Sequence, residues 1–283
     1  MKALLSAGFY RLVRQKSTWI ILGVFAVWIG FSAFSLGSLL GDASWAAALR
    51  EQMIASLNSA RSAYNADVVD AYLELLGTVS VKSRDYFISL GHSADSMLFL
   101  YAFLLCFVDA RRKHGALKHV WPSASPAARF GADLLLCGFF IVLMEAVQFL
   151  AFSIMGLVSF TGVPYEHPLF LLPHYAVEAM LLLCVAALMT AALDLLAKSR
   201  LRTWIPLFYL LFLRFYLFLA VDGLFANTVG EGTRLEDFLP SGAYETLPYG
   251  SVPDLLRGAV VAILFTGAAF LAEIHLFPKR DAI

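Results

Sequence analysis

Apolar runs of membrane length recur six times along the chain, separated by short polar or broken stretches. They lie near Ser17 to Leu40, Tyr86 to Val108, Asp133 to Phe160, Leu172 to Leu196, Thr203 to Val221 and Arg257 to Phe277. About 20 mostly apolar residues, at 1.5 Å each in a helix, cross roughly 30 Å of hydrocarbon, so each run predicts one span. The second run is interrupted in its first half by His92 and Asp95. Its apolar core is therefore expected to begin at Met97, after an interfacial turn or helix. Ahead of the first run, Leu5, Phe9, Leu12 and Val13 share one helical face, with Arg11 and Arg14 opposite. That spacing predicts an amphipathic helix over residues 1–16 lying in the plane of the membrane.

Two segments between spans are long enough to fold. From Asp42 to Asp85, Trp45, Leu49, Met53 and Leu57 recur every fourth residue, and Tyr64, Val68, Tyr72, Leu75 and Leu76 continue a stripe up to Gly77. Two helices are expected there. Asp67, Asp70 and Glu74 line the polar side of the second, either as a solvated face or as a surface for a cation or basic peptide. The other segment, Phe225 to Pro253, holds Pro240, Gly242, Pro248 and Gly250 among Leu235, Phe238, Leu239, Tyr244 and Tyr249. It is too broken for one regular helix and too apolar for a free loop, so short helices dipping into the interface in a re-entrant-like way are expected.

Composition fixes the setting. With 60% hydrophobic and 15% charged residues, the chain would expose too much apolar surface to stay soluble as a globule. A net charge of zero argues against a general nucleic-acid binder. The cations divide by side instead. Lys and Arg number 21, and 14 of them fall at the ends containing residues 1–16, 109–129, 198–202 and 279–280. Six fall in the alternate segments, and Arg214 lies within a span. Because cationic loops stay on the cytoplasmic side, both termini are predicted cytoplasmic and residues 42–85 and 225–253 external. The picture is an all-α, multi-pass plasma-membrane protein with six transmembrane helices. The charge-free first run exceeds the 7–15 residues of a signal-peptide core, so it is expected to be a retained span. Cys106, Cys137 and Cys184 all sit in apolar runs, where they pack as small apolar residues rather than forming disulfides.

Candidate chemistry is sparse. No phosphate-binding loop occurs, since none of the Lys-Ser pairs is preceded by glycine, and ATP hydrolysis by this chain alone is not expected. His-Glu-x-x-His, Cys-x-x-Cys and Gly-x-Ser-x-Gly are all missing, which leaves no catalytic, metal or cofactor residues to assign. Two charges do stand out inside spans. Glu145 and Arg214 lie 12 and 11 residues from the predicted inner ends of the third and fifth spans, at depths of about 18 Å and 17 Å. A charge at mid-bilayer is costly unless paired or facing water, so an intramembrane ion pair is predicted.

The segment Asp109-Ala-Arg-Arg-Lys-His-Gly-Ala-Leu-Lys118, followed by Ser125-Pro-Ala-Ala-Arg129, is the most informative stretch. An acidic residue closes a span, Gly115 and Lys118 sit in a basic stretch, and a small-residue patch ends in an arginine. With the order of in-plane helix, insertion, basic loop and broken segment before the last span, the chain resembles the ABC-2 type permeases, membrane subunits of type V ABC exporters. Ala116 stands where that family usually has Thr, and Asp133 where it more often has Lys. The resemblance implies a coupling helix that docks on a separate cytoplasmic ATPase, through Asp109, Arg111, Arg112, Gly115, Lys118, Trp121 and Arg129. A helix over about Ala110 to Trp121 would present an apolar anchor with a charged rim, and Pro122 and Pro126 are expected to stop it. It further implies a homodimer or a dimer with a related permease, membrane lipid around it, and ATP and Mg bound only by the partner subunit. The cargo would be an amphipathic or hydrophobic compound such as a peptide antibiotic, drug or lipid. Two other classes stay open from the residues alone: an intramembrane enzyme using Glu145, Glu178 or Glu273, and a passive channel or membrane scaffold.

Overall fold

The computed structural model describes residues 2–41, 51, 55, 83–91, 95–113, 125–195, 204–208, 238–247 and 252–276. Regular structure among them is all helical: α1 (Lys2–Arg14), α2 (Lys16–Gly41), α3 (Arg84–Ser89), α4 (Asp95–Lys113), α5 (Pro126–Ser159), α6 (Pro168–Leu195), α7 (Trp204–Phe208), α8 (Pro240–Thr246) and α9 (Val252–Leu276). Of these, α2, α5, α6 and α9 are long and apolar enough to cross a membrane, while α4 holds a shorter apolar stretch, Ser96–Phe107. This is the architecture of a multi-pass membrane protein. Outside the described residues lie nearly all of the 42–85 insertion, most of the fifth predicted span, and most of the 225–253 segment.

Helix ends follow capping chemistry more closely than hydropathy. α5 begins seven residues before the predicted third span: Pro126 takes the first helical position, where its missing N–H costs nothing, and the Ser125 hydroxyl accepts the Ala128 N–H at 3.3 Å. Pro126 therefore starts a helix. At 34 residues α5 is about 51 Å long, well beyond the hydrocarbon core. The second predicted span is indeed broken, into α3 and α4. α8 likewise begins on a proline, Pro240, and is a short helix in the segment where short helices are expected.

The chain divides into two compact units. The first comprises Met1–Ala26, His92–Val147 and Leu172–Ile283. Within it Phe103 stacks on Phe140 with ring centroids 3.9 Å apart, and Phe25 meets Phe99 edge-on at 5.2 Å. At Gly258 on α9, an added Cβ would lie 3.0 Å from Val177 and 3.5 Å from Leu181 of α6, and 3.9 Å from Leu247 just after α8. A glycine there lets α9 close on both. The second unit comprises Val27–Gly91 and Gln148–Leu171. Its centre is Phe87 of α3, fully buried between Phe152 and Phe160 at centroid distances of 5.4 Å and 4.8 Å.

α1 departs from the predicted faces. Leu4, Gly8, Arg11 and Leu12 are buried, whereas Phe9, Tyr10 and Val13 are exposed. Gly8 sits directly against the Leu136 side chain of α5, and the exposed Phe9 ring meets Phe139 edge-on at 5.1 Å. Arg11, expected opposite the apolar face, instead points inward, because its guanidinium finds a carbonyl to bond. The helix thus presents one apolar side to the protein and another outward, which suits a membrane surface.

Candidate functional site

Two constellations carry polar chemistry in the first unit. One ties α1 to the last turns of α4. Arg11 Nη2 donates to the Phe107 carbonyl at 3.1 Å, and the guanidinium carbon lies 4.6 Å from the Phe107 ring centroid. Gln15, the single non-helical residue between α1 and α2, donates to the Cys106 carbonyl at 3.1 Å and to Ser17 Oγ at 2.8 Å. Trp19 Nε1 reaches back to the Val13 carbonyl at 2.7 Å, satisfying an acceptor near the C-terminus of α1. This junction lies immediately before the predicted coupling residues. Asp109, Arg111 and Arg112 continue α4 without a break, so the helix runs past the predicted end of the span at Val108. Gly115, Lys118 and Trp121 lie outside the described residues. Arg129 falls in the first turn of α5, half-buried. Of the predicted coupling set, the described residues fall at the C-terminal end of α4 and in the first turn of α5.

The second constellation is buried among the spans. Glu145 on α5 and Glu178 on α6 lie near the midpoints of the two apolar stretches, Ala127–Ser159 and Pro168–Leu193. Their carboxyl groups are hydrogen-bonded to each other. Tyr244 of α8 donates its hydroxyl proton to Glu178 Oε1 at 2.8 Å, and its oxygen is hydrogen-bonded to the Ser96 side chain of α4. Exposure is 9% for Glu145, 0% for Glu178, 1% for Tyr244 and 1% for Ser96. Arg214, the predicted partner of Glu145, lies outside the described residues. Glu178 is a neighbour that counting depth along one helix did not reach, since depth gives height in the membrane but not direction around the helix. Tyr244 carried no signal beyond its place in a segment expected to dip inward.

The second unit holds a polar knot of its own. Asp85 Oδ1 and Oδ2 accept the backbone N–H groups of Glu166 and His167, at 2.9 Å and 3.0 Å, just ahead of α6. Arg84 Nε donates to the Phe160 carbonyl at 3.0 Å and lies over the Tyr165 ring at 5.6 Å. Burial pushes the Asp85 carboxyl up, but the hydrogen bonds from Glu166, His167, its own backbone and Ser83 outweigh it, and the group sits below the usual 3.8. A depressed folded value contributes stability that is complete above about 3.8 and lost as pH falls through the folded value. Asp85→Ala is expected to lower stability by about 2–3 kcal/mol at neutral pH, the worth of hydrogen bonds to a charged acceptor. The loss should shrink toward acid, and a deficit that is the same at pH 7 and pH 3 would contradict this role.

Among the described residues no group of three or more His, Cys, Asp or Glu side chains is placed to hold a metal ion, and Cys106, Cys137 and Cys184 are free thiols. The chain matches no family model, no curated protein and no solved structure.

Proposed function

We propose that this chain is the permease subunit of an ATP-driven ABC exporter, moving an amphipathic or hydrophobic compound with energy from a separate cytoplasmic ATPase. The single observation that carries the reading is the basic segment from Asp109 to Arg129 between two apolar helices, in the order that resembles the ABC-2 permeases. Four membrane-length helices, a packed N-terminal helix and a short helix before the last span are consistent with it. The chain would act with a second permease copy, with both termini cytoplasmic and ATP and Mg confined to the partner. α4 continues as a helix through Lys113, which gives a stiff element through which an ATPase could push on the span.

Purification from native membranes is the test. An ATPase should co-purify with the native chain, and Arg112→Glu combined with Trp121→Ala should lose it, because the pair removes an aromatic anchor and reverses a rim charge. Arg61→Ala, on the predicted opposite side, should retain it. Intact co-purification with unchanged ATP turnover in the double variant would sink the coupling assignment.

The Glu145–Glu178 contact favours a second reading, an intramembrane enzyme with paired carboxyls. Both groups are turned toward each other and buried, and ATP-dependent transport that survives Glu145→Gln would remove this alternative.

A further inference from the structure

We propose that Glu145 and Glu178 hold one proton between them, and that this proton closes a hydrogen-bond latch, Ser96–Tyr244–Glu178–Glu145, fixing α8 to α4, α5 and α6. The inference stands on the geometry of the first unit and does not rest on the transport reading. Two carboxyl groups can hydrogen-bond to each other only if one supplies the hydrogen, and two carboxylates in contact repel strongly in a medium of low dielectric. Tyr244 donates to the Glu178 oxygen, so Glu178 enters the chain as an acceptor on that side. Glu145 Oε2 has no hydrogen-bond partner among the described residues, and a second negative charge on the buried pair would face the first at close range in a low-dielectric interior. Other titratable groups on α6 within a turn of Glu178 are His174, which is buried, and Tyr175. On α9, Asp254 and Arg257 pair with each other at 3.0 Å. Arg214 lies outside the described residues.

The latch joins four elements distant in sequence. Glu178 is ten residues from Pro168, about 15 Å along α6 from its first turn, so Tyr244 brings a short helix to bond deep along a span. Opening is a simple proton loss. The O–H bond of the shared carboxyl breaks, the proton passes to water, and the pair goes from one negative charge to two. Repulsion then separates α5 from α6, Glu178 takes new partners, and α8 loses its anchor. A segment between the last two spans would thereby respond to proton activity on the side it faces.

The test uses the full chain in lipid nanodiscs. Infrared spectra at neutral pH should show the carbonyl stretch of a protonated carboxyl that Glu145→Gln or Glu178→Gln removes. If both variants keep the native band, or the native protein has only carboxylate bands, the shared proton is overturned. Hydrogen exchange of residues 240–247 reads the latch itself. Tyr244→Phe, which keeps the ring and deletes the hydroxyl, should raise exchange there by about tenfold, the loss of one strong hydrogen bond. After correction for the chemical pH dependence of exchange, alkaline pH should do the same in the native protein but not in Glu145→Gln, nor in Glu178→Gln should the first variant fold poorly. Unchanged exchange in Tyr244→Phe, or an equal alkaline response in native and Gln variants, would overturn the latch.

Discussion

Phe87→Ala is expected to cost about 3–5 kcal/mol of stability, the range for emptying a buried aromatic site. Phe87 is fully buried, and its ring contacts Phe152 and Phe160, two residues eight apart near the C-terminal end of α5. An added Cβ on Gly156, between them, would sit 3.4 Å from the Phe87 ring, so the ring seats on a glycine that cannot move closer to fill a void. The backbone next to Phe87 is held as well, since Arg84 and Asp85 bond to residues 160, 166 and 167. A cavity there cannot collapse easily, which puts the cost at the high end. Denaturation of the detergent-solubilised protein measures it. Phe87→Leu, which keeps most of the volume, should lose less than half as much. Equal losses for Ala and Leu would show that ring stacking rather than filled volume holds α3 in place.

What the sequence made legible, and what it hid, divides along physical lines. Apolarity reports contact with lipid or core, so the helices long enough to cross hydrocarbon were readable from composition, and so was an interruption of the second run, where α3 ends in a turn at Leu90 and Gly91. Helix ends answer to backbone hydrogen bonding. α5 extends through the polar turn containing Arg129 because Ser125 accepts the Ala128 and Arg129 N–H groups and Pro126 has none to satisfy, and no hydropathy pattern reveals that. The same reasoning applies to Pro240, a breaker when read inside a segment and an initiator when it falls at the first position of α8. Side-chain partners across long separations were the least legible. Periodicity put Arg11 on the polar face of α1, yet a carbonyl 96 residues away draws it inward. Depth found Glu145, whereas direction around α5 decides which charge it meets. Tyr244 needed the path of the chain itself.

Arg11→Ala should release α1 from α4 at a cost of about 3 kcal/mol. The side chain makes a charge-assisted hydrogen bond to the Phe107 carbonyl, worth about 1.5–3 kcal/mol, and a cation–π contact with the same residue's ring that reaches about 2 kcal/mol when desolvated. The two overlap in one geometry and do not add fully, which brings the sum down. Arg11→Lys keeps the charge but loses the planar fork that bonds the carbonyl while lying over the ring, so it should recover only part of the loss. Hydrogen exchange across Lys2–Arg14 measures the docking directly, and exchange that stays slow in Arg11→Ala would show that Gly8 and Leu12 hold the helix unaided. The consequence reaches the proposed coupling. Phe107 lies two residues before Asp109, on the unbroken helix that carries Arg111 and Arg112. A push on that end is therefore shared with α1 through Arg11 and Gln15, and undocking α1 should weaken ATP-driven transport more than it weakens ATPase binding. Equal losses of binding and transport in Arg11→Ala would mean that α1 only stabilises the fold and transmits nothing.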